Sequence, residues 1–168
     1  GMASHHQNLS DHDPNKIPSA KGMKIALVVS EWNAEITEGL KKGALVTLLK
    51  YGAEESDLLL EYVPGSYELP LGAQFILESS KDIDAVICLG CVIQGETRHF
   101  DFVCEAVSQG VKDVGLKYNK PVIFGVLTDN TIEQSRARSG GKLGNKGDEA
   151  AVTAIKMVDL RKSLESRA

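Results

Sequence analysis

Four times the chain repeats a short apolar, β-branched run followed by a helical stripe, and that alternation limits its fold more than any other feature. Lys24–Ser30 reads KIALVVS, and Ala34–Tyr51 then sets Ile36, Leu40, Ala44, Leu45, Leu48 and Leu49 on one face before Gly52. Ser56–Val63 (SDLLLEYV) is broken by Pro64-Gly65, and the helix expected over Tyr67–Ser79 admits Pro70 only near its first turn. Ala85–Ile93 (AVICLGCVI) is apolar on both alternations, as a strand buried on both faces must be, and Thr97–Lys117 continues in helical register. Pro121–Leu127 (PVIFGVL) is the fourth strand, and helices over Thr131–Ser139 and Lys146–Arg167 close the chain. Strands alternating with helices join through right-handed crossovers. The expectation is an α/β fold, a flavodoxin-like three-layer sandwich whose four-stranded parallel sheet, in order 2-1-3-4, is flanked by helices.

A chain of 168 residues supports one domain of this kind, expected over 23–168, with residues 1–22 as a flexible polar arm in which Gly1 before Met2 resembles a cloning scar. Nineteen Lys and Arg against 23 Asp and Glu give a net charge of −4 with the signs mixed, so no basic face is offered to a nucleic acid. The longest apolar run, Ala85–Ile93, is too short to cross a bilayer, and no signal-peptide core is present, which points to the cytoplasm and no membrane partner. Cys88, Cys91 and Cys104 are an odd set of thiols for a reducing compartment. Although Cys88 and Cys91 form a CxxC, positions three apart on a strand face opposite sides of the sheet, which argues against a shared metal or redox pair.

In open α/β sheets ligands bind beyond the carboxyl ends of the strands, so those ends are where chemistry is expected. The first carries Glu31-Trp32-Asn33: Trp32 is a packing residue or a flat apolar wall for a planar heterocycle, and Asn33 a helix cap that leaves room for a ligand contact. The second carries Gly65-Ser66-Tyr67-Glu68, where Glu68 is either a helix-start carboxylate or an acceptor for ring N–H groups. The third reads GCVIQGET from Gly90, the outline of a phosphate-binding loop with Glu96 where Lys is needed, which removes the cation a nucleoside triphosphate requires. What survives is Gly95 before a helix start, with the N–H groups of Glu96 and Thr97 suited to a single phosphate. His99 falls in the first turn of that helix, an imidazole able to take up and release a proton. Past the fourth strand, Arg136, Arg138, Lys142 and Lys146 gather beside the glycine-rich turn Ser139–Gly147, and an Arg fork suits a phosphate.

Taken together, SEWN (Ser30–Asn33), VPGSYELP (Val63–Pro70), LGCVIQGETRHFD (Leu89–Asp101), FGVLT (Phe124–Thr128), Glu133-Gln134 with Arg138, and GNKG (Gly144–Gly147) resemble the lumazine synthase family, in family order from about Lys24 to Leu160. The resemblance implies the penultimate step of riboflavin biosynthesis, condensation of 5-amino-6-(D-ribitylamino)uracil with 3,4-dihydroxy-2-butanone 4-phosphate to 6,7-dimethyl-8-ribityllumazine, with no metal and no organic cofactor. It implies that Trp32 stacks on the pyrimidine, that Ser66, Tyr67, Glu68, Cys91, Val92 and Ile93 line the uracil and ribityl pocket, and that Glu96 and Thr97 hold the phosphate. His99 is then the general acid/base, while Phe124 and Arg138 serve a neighbouring subunit's site, Phe124 toward the ring and Arg138 toward the phosphate. Assembly as a homopentamer, or as a sixty-subunit icosahedral shell, is implied as well, with riboflavin synthase as a candidate partner. The turn before GNKG has the short form of shell-forming members. Trp32 stands where Phe is frequent, and Gln94 where Lys or Arg is often found.

Overall fold

The computed structural model describes residues 8–95 and 97–168. Four strands, β1 (Ile25–Ser30), β2 (Leu58–Val63), β3 (Ala85–Ile93) and β4 (Val122–Asp129), form one parallel sheet in the order β2-β1-β3-β4, as the sequence pattern requires. Helices α1 (Ala34–Lys50), α2 (Leu69–Ser79), α3 (His99–Tyr118), α4 (Ile132–Arg138) and α5 (Lys146–Ser166) alternate with the strands or follow them. Alternate residues of β1 and β3 feed two cores. Ile25, Leu27, Val29, Ile87 and Leu89 pack with Leu40 and Leu48 of α1 and Ile155 of α5. Ala26, Val28 and Val86 pack with Leu69 and Ala73 of α2 and Val107 and Val111 of α3. Both central strands are therefore apolar on both alternations, and β1 is buried along its whole length, the polar Ser30 at its end included.

The same alternation separates the CxxC thiols: Cys88 belongs to the α2–α3 core and Cys91 to the α1–α5 core. Burial pushes the Cys88 thiol up to about 12 and raises that of Cys91. Neither sulfur is poised as a thiolate, and among the described residues no cluster of three His, Cys, Asp or Glu side chains stands ready for a metal.

Element ends differ from the sequence expectation where a local interaction outweighs periodicity. The second helix begins at Leu69, after a 3₁₀ turn over Ser66–Glu68, because the Glu68 carboxylate accepts the Gly65 N–H at 3.0 Å and closes a separate turn. The third begins at His99, whose N–H donates to Thr97 Oγ1 at 3.3 Å. The glycine-rich turn is itself folded: β5 (Ser139–Gly141) and β6 (Gly144–Asn145) make a small antiparallel pair, with Gly140 and Gly144 at φ of 115° and 82°, where an L side chain is strained. The described part of the expected arm lies on the body. Leu9 N donates to Leu143 O, Ser10 Oγ donates to Asp148 Oδ2 at 2.5 Å, and Ala20 is wholly buried. A contiguous body thus begins well before Met23, while residues 1–7 lie outside the described residues.

Candidate active site

Order β2-β1-β3-β4 reverses direction between β1 and β3, which opens a crevice at their carboxyl ends. The chain fills its rim from three strand exits. A cleft of about 490 Å³ is lined by Trp32 and Asn33 after β1, by Ser66, Tyr67 and Glu68 after β2, by Cys91, Val92 and Ile93 at the end of β3, and by His99, Phe102 and Val103 of α3. Nine of the residues singled out from sequence converge here.

Trp32 takes its place through a glycine. A methyl group on Gly65 would run into Cε3 and Cζ3 of the indole, so the bare backbone of Gly65 is the surface against which the ring lies. Trp32 N donates to Pro64 O at 3.0 Å and Glu31 N to Val63 O at 2.8 Å, which extends the β1–β2 ladder into the site and fixes the chain that carries the ring. The indole nevertheless stays 66% exposed and Tyr67 63% exposed, an aromatic wall left largely open among the described residues.

Asn33 does precede α1, but its side chain does not cap the helix. It sits in the left-handed region at φ 61°, and its Nδ2 donates to Cys91 O at 3.0 Å. Ser66 Oγ approaches the same carbonyl at 3.5 Å. Cys91 O is thus the knot that ties the three strand exits together, and Gly90 beside it is needed because a Cβ there would stand 2.6 Å from Ser66 Oγ. Glu68 has both roles left open by the sequence: one carboxylate oxygen is bonded to Gly65 N, and the residue also lines the cleft.

His99, at the first position of α3, is exposed and faces the cleft. Phe102 and Val103 join it there, and the sequence reading missed Phe102 as a wall residue. The signal was available: positions i, i+3 and i+4 of a helix share a face, so whatever His99 faces, Phe102 and Val103 face too. Around Gly95 there is open space to 4 Å from where a Cβ would stand. Thr97 is exposed and does not line the cleft, and Glu96 lies outside the described residues.

Phe124 and Arg138 are not brought to this cleft. Phe124 lies half-buried on β4 against the α2–α3 core, paired in register with Cys88. Arg138 lines a separate hollow of about 180 Å³ with Thr128, Asp129, Asn130 and Gln134. The basic group near the turn is also less free than its composition suggested. Arg136 grips Glu35 with Nε at 2.9 Å, a hydrogen bond that holds the Glu35 carboxyl below the usual carboxylate range, and Lys146 pairs with Glu149 at 2.5 Å. Arg138 keeps a looser counter-ion, Asp129 at 3.7 Å.

Chemically the cleft offers a flat aromatic wall, a carboxylate, backbone polar groups at the β3 exit and one imidazole, a set suited to holding a planar heterocycle beside a proton shuttle. Residues 22–162 match the family model described as 6,7-dimethyl-8-ribityllumazine synthase. Proteins carrying that name are similar to the chain over nearly its whole length: one from Christiangramia forsetii is 55% identical over 96% of this chain and 96% of its own. Those from Cytophaga hutchinsonii and Parabacteroides distasonis are 57% and 53% identical, each over 94% of this chain and 98% of theirs.

Proposed function

Since the chain belongs to the 6,7-dimethyl-8-ribityllumazine synthase family, enzymes of riboflavin biosynthesis, we propose that it condenses 5-amino-6-(D-ribitylamino)uracil with 3,4-dihydroxy-2-butanone 4-phosphate, releasing phosphate and two waters. The observation that carries the reading is the single cleft lined by both Trp32, laid on Gly65, and His99. A pyrimidine stacked on Trp32 has its polar edge toward the backbone of Cys91–Ile93 and the free oxygen of Glu68, with Ser66 and Tyr67 completing the wall. The ring amine attacks the ketone and loses water to give an imine. A proton is then abstracted and phosphate leaves by elimination, and the second amine closes the ring with loss of the second water.

Each of these steps moves a proton, and His99 is the imidazole placed to move it. No covalent nucleophile is required, in keeping with a site whose nearest thiol, Cys91, is buried and raised above its ordinary titration range. The open space at Gly95 and the backbone of Glu96 and Thr97 receive the phosphate. Arg138 and Phe124, standing apart from the cleft of their own chain, complete the site of an adjoining copy in a homopentamer. Twelve such rings in a shell and association with riboflavin synthase are further parts of this reading, and the reaction belongs in the cytoplasm.

The test is formation of the lumazine chromophore, followed by absorbance together with phosphate release, from the two substrates. His99→Ala is expected to lower kcat on the order of a hundredfold while leaving activity above the uncatalysed rate, because holding two reactants in register contributes independently. A purified protein that makes no lumazine refutes the reaction, and unchanged turnover in His99→Ala removes the imidazole from it.

A further inference from the structure

The carboxyl end of β4 carries a chain of polar contacts that the cleft does not use. Ser135 of α4, wholly buried, donates from Oγ to Asp129 Oδ2 at 2.8 Å and receives Cys91 Sγ at 3.4 Å. The single proton of Ser135 is therefore committed to Asp129 and fixes the rotation of that carboxylate. Its other oxygen, Oδ1, faces Arg138 Nη1 at 3.7 Å, with the two side chains 13% and 21% exposed. The same Nη1 donates to Gln134 O at 3.1 Å. Two restraints thus act on one guanidinium nitrogen, while Nε and Nη2 have no protein partner among the described residues.

We propose that Asp129, oriented by Ser135, is a positioning residue for Arg138, and that through Arg138 it sets the affinity for the phosphate-bearing substrate without touching that substrate. The proposal rests on the function above only in taking the anion at Arg138 to be that substrate's phosphate. An arginine free to sample its rotamers loses that freedom when it meets an anion, and one restrained beforehand loses less. Opposing this, the charge of Asp129 by itself disfavours an anion close by. The two effects have opposite signs, so measurement separates them.

The test is a double-mutant cycle on Asp129 and Arg138. Asp129→Asn keeps the shape of the side chain and an oxygen for Ser135, and removes the charge that faces the guanidinium. It is expected to raise KM for the butanone phosphate about fivefold to tenfold, with KM for the pyrimidine and kcat unchanged. Ser135→Ala should move the same constant in the same direction by less. In an Arg138→Ala background, Asp129→Asn should have no further effect, which a general loosening of the fold would not reproduce. Equal rises in both KM values, a rise that persists without Arg138, or a fall in the phosphate KM each overturn the proposal. Calorimetric titration of the same four proteins with inorganic phosphate repeats the cycle without turnover. If the parent binds phosphate yet makes no lumazine, the reaction fails and the cycle still decides the role of Asp129. If the parent is active and the cycle shows no coupling, the positioning role fails alone. A parent that neither turns over nor binds phosphate overturns both.

Discussion

At the residue scale, Gly65 and Asn33 show how much of the cleft is set by backbone. Gly65 leaves the space in which the Trp32 ring rests, so Gly65→Ala must push the indole outward or move the β2 exit. Overpacking of this kind typically costs about 1–3 kcal/mol, but a 66% exposed ring can swing away for less. The expected outcome is therefore a modest loss of thermal stability with a clear rise in KM for the pyrimidine. Unchanged KM for that substrate would mean that the ring does not stack on it. Asn33 was legible as the residue before a helix, yet its left-handed backbone and its bond to Cys91 O were not. Such a bond joins residues 58 apart in sequence, and no local pattern announces it. Phe102 was legible in principle, since helical spacing from His99 places it on the same face.

At the scale of elements, the strands were readable because β1 and β3 are apolar on both alternations, and only a sheet covered on both sides tolerates that. Where α2 and α3 begin was less readable, because Glu68 and Thr97 make side-chain bonds that hold their turns out of the helix. The β5–β6 pair was read as a plain helix-to-helix turn. Two residues against three give no periodicity to detect, and only the positive-φ glycines 140 and 144 mark it. The α2–α3 layer itself depends on a close approach invisible to pattern: a Cβ on Gly110 would stand 2.7 Å from Pro70 Cγ. Gly110→Val should wedge the two helices apart and cost about 1–3 kcal/mol of stability, read as a lower midpoint in urea. Because Val103 and His99 ride on the same helix as Gly110, the variant should also lose activity. A midpoint equal to the parent's would show that the layer can slide without penalty.

At the scale of the whole molecule, the chain leaves large apolar side chains on its outer surface: Phe75 on α2, Phe102 and Leu116 on α3, and Leu160 and Leu164 on α5 are all about half exposed or more. Exposed apolar surface of this kind is available for contact with another molecule. The sequence gives no count of subunits; that part of the reading came from family resemblance. The separation of Arg138 from the cleft that holds His99 has a consequence for heredity. If each working site borrows its arginine from next door, a chain damaged at His99 can still lend Arg138, and a chain damaged at Arg138 can still offer an intact cleft. His99→Ala and Arg138→Ala chains refolded together in equal amounts should regain about a quarter of the parent's working sites, the share expected when each site draws at random on two subunits of a ring. Refolded separately, neither should show that gain. Two faulty copies of the gene in one cell would then complement each other, and a mixture no more active than the average of its parts would place the whole site within a single chain.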